Sequence, residues 1–439
     1  MSRTENCNKA VANGDALCCV DPDIAKLVRQ EWQRQNCEIN LIASENVAPL
    51  AILQTLGSVL VNKYAEGYPA QRYYAGCELY DDMERLAIER AQQLFAAAHA
   101  NVQPHSGSSA NLAAYLALLQ PSDTILAMRL DHGGHLTHGA RVNFSGRLFN
   151  VVHYGVSRHS QRIDYDEVLQ LAQQHRPKLI IAGASAYPRR IDFGRFADIA
   201  AQVDAKLLVD MAHIAGLVAA GVHPSPLPHA HVVTSTTHKT LRGPRGGLIL
   251  CRQELGKAID KQIFPGCQGG PLMQAVAAKA VCFYMAARPA FRQYQQQVID
   301  NARALAAALQ QHGLSLVSGG TDNHLLLIDL HNSEISGQEA EAVLSRVGLV
   351  TNKNGIPFDP KPPRITSGIR LGTPGVTSRG MKQQQMQYIA DYIATALTKR
   401  NEPDSLQTIA QQVRELAVAF PAYTSLPDSG CVAAIGDAT

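Results

Sequence analysis

Lys239 stands where a lysine could do chemistry. It lies in the run His231-Val-Val-Thr-Ser-Thr-Thr-His238-Lys239-Thr240-Leu-Arg-Gly-Pro-Arg245-Gly-Gly, 29 positions after Asp210. The run starts as a hydroxyl-rich strand and passes into a turn too rich in glycine to be helix or sheet. Upstream, the apolar run Leu207-Leu-Val209 reads as another strand and delivers Asp210-Met-Ala-His213 to its end. An amine at one strand end and a carboxylate at another suit pyridoxal phosphate. The amine joins the aldehyde as a Schiff base, and the carboxylate keeps the pyridine nitrogen protonated so that the ring accepts electrons. Taken alone, the same residues would describe a solvated basic loop after a core strand; the other motifs of the chain decide between the two.

His105-Ser106-Gly107-Ser108-Ser109-Ala-Asn111 follows a short strand and opens a helical stretch. Backbone N–H groups at a helix start, with glycine for close approach and serine hydroxyls beside it, form a phosphate cup. Nucleotide-binding loops of the Gly-x-x-x-x-Gly-Lys or Gly-x-Gly-x-x-Gly type are absent from the sequence. His132-Gly-Gly-His135-Leu-Thr-His138 offers three imidazoles, but no acidic or cysteine ligand stands at an obvious metal spacing. A flat imidazole beside glycines can instead stack on a cofactor ring, and we expect no metal. Thr366-Ser-Gly-Ile-Arg370-Leu-Gly372 sets an arginine between glycines, and its planar fork suits an amino-acid carboxylate. Tyr64-Ala-Glu66-Gly-Tyr-Pro69 with Arg72-Tyr73-Tyr74 is an aromatic loop around one carboxylate that could carry protons.

The elements that must position these groups alternate. From about 60 to 290, apolar strand runs and helices follow one another (178–183, 196–203, 206–209, 231–234, 247–251), which predicts an α/β fold with a mostly parallel sheet covered on both faces. Asp21-Pro22 reads as a helix start with Ile24, Leu27, Val28 and Trp32 on one face. Residues 1 to about 20 and 425–439 read as a polar arm and a frayed tail. After about 290 a helix rich in Ala and Gln (Tyr294 to Gln311), the strand run 324–330, a proline loop (357–363) and a helix over 381–398 read as a smaller α+β domain. The expected division is an N-terminal arm and helix over 1–60, a large domain over 61–285 and a small C-terminal domain over 286–439.

With 439 residues, 46% hydrophobic and 18% charged, the chain is long enough for two domains and composed like a soluble globular protein. A formal net charge of +3 argues against nucleic acid as the primary partner and gives no reason to invoke a membrane. Nine scattered cysteines without a Cys-x-x-Cys pair fit reduced thiols, and no signal peptide or membrane-spanning run is seen, so a cytoplasmic protein is expected.

Together these motifs resemble the serine hydroxymethyltransferase family of pyridoxal phosphate enzymes, of the aspartate-aminotransferase fold type I. The resemblance runs from about Glu38 to Tyr423. It includes Leu41-Ile-Ala-Ser-Glu-Asn46, Asn62-Lys-Tyr-Ala-Glu-Gly-Tyr-Pro69, Pro104-His-Ser-Gly-Ser108, Gly133-Gly-His-Leu-Thr-His-Gly139, Val209-Asp-Met-Ala-His-Ile-Ala-Gly-Leu-Val-Ala219, Gln268-Gly-Gly-Pro271, Gly319-Gly-Thr-Asp-Asn-His324 and Asn352-Lys-Asn354. It implies a large domain with a seven-stranded sheet, Lys239 as the Schiff-base lysine, Asp210 on the pyridine nitrogen, His135 stacked on the ring, and Ser185 and His213 near its phenolic oxygen. Thr236 and His238 would join the cofactor contacts. Ser106, Gly107 and Ser108 would hold the phosphate, helped by Tyr64 and Gly270 of a second subunit. Arg370 and Ser44 would bind the substrate carboxylate, with Tyr74 reaching over from the neighbour. Glu66, also from the neighbour, would handle the substrate hydroxyl proton, and Leu130, Gly134 and Asn354 would meet the pterin of tetrahydrofolate.

The resemblance therefore implies a homodimer with shared sites that interconverts serine plus tetrahydrofolate with glycine plus 5,10-methylenetetrahydrofolate, a reaction of one-carbon metabolism and glycine biosynthesis. Asp131 stands where many relatives carry a less polar residue and adjoins the expected folate contacts, and Cys267 interrupts Phe264-Pro-Gly-Cys-Gln-Gly-Gly270 at a position that varies among relatives. The alternatives are an α-methylserine hydroxymethyltransferase, a folate-independent aldolase of β-hydroxy amino acids, or a non-catalytic protein that binds RNA or a partner. Retention of Lys239, Asp210 and Arg370 speaks against the last.

Overall fold

The computed structural model describes residues 16–424. Its centre is a seven-stranded sheet made of β1 (His99–Asn101), β2 (Thr124–Met128), β3 (Asn150–Tyr154), β4 (Leu179–Ala182), β5 (Lys206–Asp210), β6 (Val232–Thr236) and β7 (Gly247–Cys251). Their spatial order is β1-β7-β6-β5-β4-β2-β3. The five strands β3, β2, β4, β5 and β6 pair in parallel, whereas β7 runs antiparallel to both of its neighbours. The fold is thus α/β with a mostly parallel sheet, as the alternation of runs predicts.

Both faces of the sheet are covered, which explains why its strands read as continuous apolar runs. Leu126, Ile180, Leu207, Val209 and Leu248 face one core, which also holds Phe196. Ile125, Ile181, Leu208, Val232 and Ile249 face another, against Ala110, Ala113 and Tyr115. Each such Leu or Ile contributes roughly 1.5–3 kcal/mol by leaving water, so the register that sends alternate side chains to opposite faces is firmly specified.

Six helices matter for the site and its support: α1 (Pro22–Cys37), α2 (Gly107–Leu118), α3 (Met273–Ala286), α4 (Pro289–Gln311), α5 (Gln383–Thr398) and α6 (Pro403–Ala419). Helix α1 starts where Asp21-Pro22 predicts, with the Ile24 N–H donating to the Asp21 carboxylate at 3.1 Å. Its predicted apolar face is mostly not packed inward: Ile24, Leu27 and Val28 are exposed, Trp32 is half-buried, and only Ala25 of the helix is buried. Residues 16–20, expected to belong to a loose arm, form a short helix (Ala16–Val20). The rest of that arm and the expected frayed tail lie outside the described residues.

Toward the C-terminus, β8 (Ser315–Leu316), β9 (Leu325–Asp329), β10 (Asn352–Asn354) and β11 (Gly368–Gly372) form an antiparallel sheet in the order β8-β9-β11-β10. Ile328, Ile369 and Leu371 pack there against Ile389 and Ile393 of α5 and Ile409 and Val413 of α6. Ile39 and Leu41 are buried in this same core, and Ile39–Asn40 pairs in parallel with Leu349–Val350. The chain just before Ser44 is therefore anchored to the C-terminal unit. Helix α4 starts at Pro289, five residues before its sequence-read start, and serves both units. Phe291 lies in the large core, while Leu305 and Leu309 lie in the C-terminal one. No helix among the described residues is long and apolar enough to cross a membrane.

Candidate active site

The parallel strands end along one edge of the sheet, and the reactive side chains collect just beyond it, as ligand sites in open α/β sheets do. Asp210 is the last residue of β5, and Lys239 stands three residues past the end of β6. The Asn46 amide donates to the Lys239 carbonyl at 2.9 Å, and the Thr240 hydroxyl donates to the His213 carbonyl at 2.8 Å. These bonds fasten the lysine turn to the segment that carries Ser44 and to the loop after β5. The two residues reach one cavity of about 490 Å³. Ser44, Ser106, Gly107, Ser108, His135, Ser185, His213, Thr236, His238 and Arg370 line it as well, so β5, β6, the start of α2, the loops after β2 and β4, and β11 all converge there.

Electrostatics give these groups distinct roles. Lys239 is buried, and the loss of water pulls its pKa down to about 8; Asp210 opposes the shift, and Arg370 and Arg245 add to it. Burial acts on Asp210 in the opposite sense, raising its pKa. The hydrogen bond and charge of His138 and the hydrogen bond of the Asn111 amide outweigh this and hold the carboxyl well below the usual range. Asp210 accepts from His138 at 3.1 Å, from the Asn111 amide at 2.9 Å and from the Ala212 N–H at 3.0 Å. His135 is held down to about 4, chiefly by burial, and so presents a neutral ring. Arg370 donates to the Ser185 carbonyl at 2.8 Å and the Asn352 side chain at 3.2 Å, which fixes the guanidinium at the cavity wall.

Helix α2 begins at the cavity. Ser106 caps it, its hydroxyl accepting from the Ser109 N–H at 3.2 Å while the Ser109 hydroxyl accepts from the Ser106 N–H at 3.0 Å. The N–H groups of Gly107 and Ser108 belong to the first turn, where no helical acceptor exists. A Cβ on Gly107 would lie 2.7 Å from Thr236 Cγ2, so glycine is what lets the helix start abut β6. Pyridoxal phosphate fits these residues. A buried lysine that gives up its proton more readily than a free one, an ionised carboxylate and a helix start answer its aldehyde, its pyridine nitrogen and its phosphate. The buried Nδ1 of His238, which has no hydrogen-bond partner among the described residues, is an atom that a bound group can satisfy.

A second cavity, of about 250 Å³, shares His135 and Ser185 with the first. Leu130, Gly134 and Asn354 line it together with Lys353 and Thr366. Gly133 has φ +108, and a Cβ there would meet the Ala186 carbonyl oxygen at 2.7 Å; its own carbonyl accepts from the Ser185 N–H at 2.7 Å. The glycines beside His135 thus serve the close approach of two loops. Asp131 lines neither cavity. Arg129 holds its half-exposed carboxylate through two hydrogen bonds of 3.0 and 2.9 Å. Cys267 is half-buried and packs beside the sheet core.

Tyr64, Glu66, Tyr74 and Gly270 are brought together elsewhere. The rings of Tyr64 and Tyr74 are 5.2 Å apart between centroids. A Cβ on Gly270 would meet the Tyr64 ring at 3.3 Å, and one on Gly269 would meet Glu66 Oε1 at 3.1 Å. Both tyrosines are exposed, and none of the four residues lines the Lys239 cavity of its own chain.

Sequence reading missed the support of Asp210. His138, Asn111 and Thr137 meet around it, with the Asn111 amide donating to Thr137 at 2.8 Å and His135 Nδ1 lying 2.7 Å from the Thr137 hydroxyl. His138 and Asn111 stand inside the quoted motifs, but nothing in their spacing reveals a shared partner 72 and 99 residues away. The acidic group that the histidine run lacks in sequence arrives from β5: ligand atoms of His135, His138 and Asp210 lie within 4.8 Å of one another.

A mostly parallel seven-stranded sheet, with a desolvated lysine and an ionised aspartate meeting beyond its strand ends, defines a pyridoxal-phosphate-dependent enzyme of fold type I. The family model of serine hydroxymethyltransferase matches residues 17–393, and the chain belongs to that family. It is accordingly a pyridoxal-phosphate-dependent enzyme of the transferase class.

Proposed function

We propose that the protein transfers the hydroxymethyl group of L-serine to tetrahydrofolate, reversibly, in a homodimer whose subunits share their sites. The observation that carries this reading is the pair of adjoining cavities. One holds Lys239, Asp210 and Arg370; the other is lined by Leu130, Gly134 and Asn354, and His135 and Ser185 belong to both. An amino-acid subsite and a subsite for a larger co-substrate therefore adjoin, as a transfer between them requires.

When bound, pyridoxal phosphate supplies the electron sink for the substrate Cα. Asp210 would hold the proton on the pyridine nitrogen, and the neutral His135 would be the imidazole that stacks on the ring. Gly107 and Ser108 would present their N–H groups to the phosphate, and Lys239 would offer its amine to the aldehyde. Arg370, with Ser44, binds the substrate carboxylate and sets the orientation of the bond to be broken. Glu66 of the partner subunit takes and returns the proton of the serine hydroxyl oxygen, and Tyr74 of the partner subunit closes over the carboxylate. The exposed, mutually packed rings of Tyr64 and Tyr74, with half-buried Glu66 on the same loop and none of the three lining the cavity of its own chain, support this crossing of subunits.

The test is glycine formation from serine with and without tetrahydrofolate, with α-methylserine as a parallel substrate. Folate-dependent conversion of serine supports the reading. Equal conversion without folate points to an aldolase, and preference for α-methylserine moves the assignment to that substrate.

A further inference from the structure

One fully buried cation has no part in the chemistry above. Lys279 sits in the middle of α3, within a helix buried almost all round, and is 1% exposed. Among the described residues no carboxylate forms an ion pair with it. Its Nζ donates instead to the Val102 carbonyl at 2.6 Å and to the Pro104 carbonyl at 3.0 Å. Burying an ammonium on two backbone carbonyls is an expensive way to fill a core, and its pKa is pulled down to about 7, mainly by that burial, with Glu84 opposing.

What Lys279 grips is the segment that leads into the phosphate cup. Residues 102–105 connect β1 to the helix start at Ser106. They are clamped on every side. The Gln268 amide donates to the Gln103 carbonyl at 3.1 Å and its oxygen accepts from the His105 N–H at 3.0 Å. The Gly247 N–H donates to the Pro104 carbonyl at 2.9 Å. The lysine stem also runs beneath Gly246, where a Cβ would lie 2.5 Å from Cε and 3.0 Å from Nζ. Gly246 in turn accepts from the Thr237 N–H at 3.1 Å, in the turn that carries His238 and Lys239. Lys279 therefore stands at the junction of the two backbone segments that wall the cofactor cavity. A four-carbon stem with a multi-donor head is suited to reach both.

We propose that Lys279 is a positioning residue for the phosphate cup: by holding the Val102 and Pro104 carbonyls it sets the direction in which the Gly107 and Ser108 N–H groups point. The proposal rests on the pyridoxal phosphate reading of the site. It differs from a purely structural role in one respect. A staple in the core stabilises the whole protein alike, whereas a positioning residue of the cup acts on ligands that carry a phosphate.

The experiment is equilibrium binding of pyridoxal 5'-phosphate and of pyridoxal, which lacks the phosphate, to cofactor-depleted protein, read by the absorbance change on capture by Lys239. For Lys279→Met the affinity for pyridoxal phosphate should fall at least about tenfold while that for pyridoxal changes by less than about threefold, the loss expected when hydrogen bonds from a charged donor are removed. Gly246→Ala, which keeps the charge and crowds the stem, should show the same selectivity and is the variant to read should Lys279→Met fail to fold. Variants whose two affinities fall in parallel, or not at all, overturn the inference and leave Lys279 as a core staple. A wild-type protein that captures neither compound overturns the cofactor reading and this inference with it.

Discussion

A lysine amine in water is protonated at neutral pH, and a protonated amine does not attack an aldehyde. Burial beyond the end of β6 brings Lys239 to about 8, so about a tenth of the amine is free at neutrality, far more than for a lysine in water. The sign follows: the apo-protein should capture pyridoxal phosphate faster as pH rises toward about 8 and level off above it, and a rate that climbs unbroken to about 10 would mean an unperturbed lysine. Lys239→Ala should abolish multiple turnovers of serine; normal turnover by that variant would remove the lysine from the mechanism. Arg370→Ala should weaken serine and glycine binding by about 1.5–3 kcal/mol, the worth of a charge-assisted hydrogen bond, measured by titration. Unchanged affinity would place the carboxylate elsewhere. At this scale the sequence was most readable where one residue type has few other uses. A lysine and an aspartate at strand ends, and an arginine between glycines, stand out from composition and turn chemistry alone. Asn111 and His138 do not, because a residue that only orients another is defined by a contact that forms after folding.

The elements hold these side chains still. Five parallel strands aim their ends at one edge, and the strand runs 179–182, 206–210 and 247–251 could be read to within a residue or two because burial on both faces demands uninterrupted apolar sequence. Helix α4 starts at Pro289, whereas its pattern in the sequence is legible only from Tyr294. Arg288-Pro289 carries a proline at the first helical position, but the polar residues that follow hide the periodicity. Helix α2 depends on its glycine. Gly107→Ala should destabilise the protein by about 1–3 kcal/mol, the usual cost of overpacking, because the new Cβ would meet Thr236. Its cofactor affinity should fall as well. Unfolding and cofactor titration of that variant check both parts, and wild-type values for each would deny the close approach of α2 to β6.

For the whole molecule, the question is where Glu66 acts. The helical periodicity of α1 correctly marks Ile24, Leu27 and Val28 as one face, but periodicity cannot say what covers it, and in the single chain that face is exposed together with Val59, Val61, Tyr64, Tyr73 and Tyr74. A second copy of the chain is the occupant our reading requires. Mixing two inactive variants, Lys239→Ala and Glu66→Gln, should restore about a quarter of wild-type activity, since half of randomly paired dimers are mixed and each mixed dimer has one intact site. No recovery would return Glu66 to its own chain. The most direct measurement of the central claim is an absorbance spectrum of the purified, cofactor-loaded protein with glycine, before and after tetrahydrofolate is added. Our account predicts a long-wavelength band, marking loss of the glycine Cα proton, that grows when the folate arrives. A spectrum that responds to glycine and ignores folate would contradict the coupling of the two cavities, and a protein that shows no cofactor absorbance even after pyridoxal phosphate is supplied would contradict the account entirely.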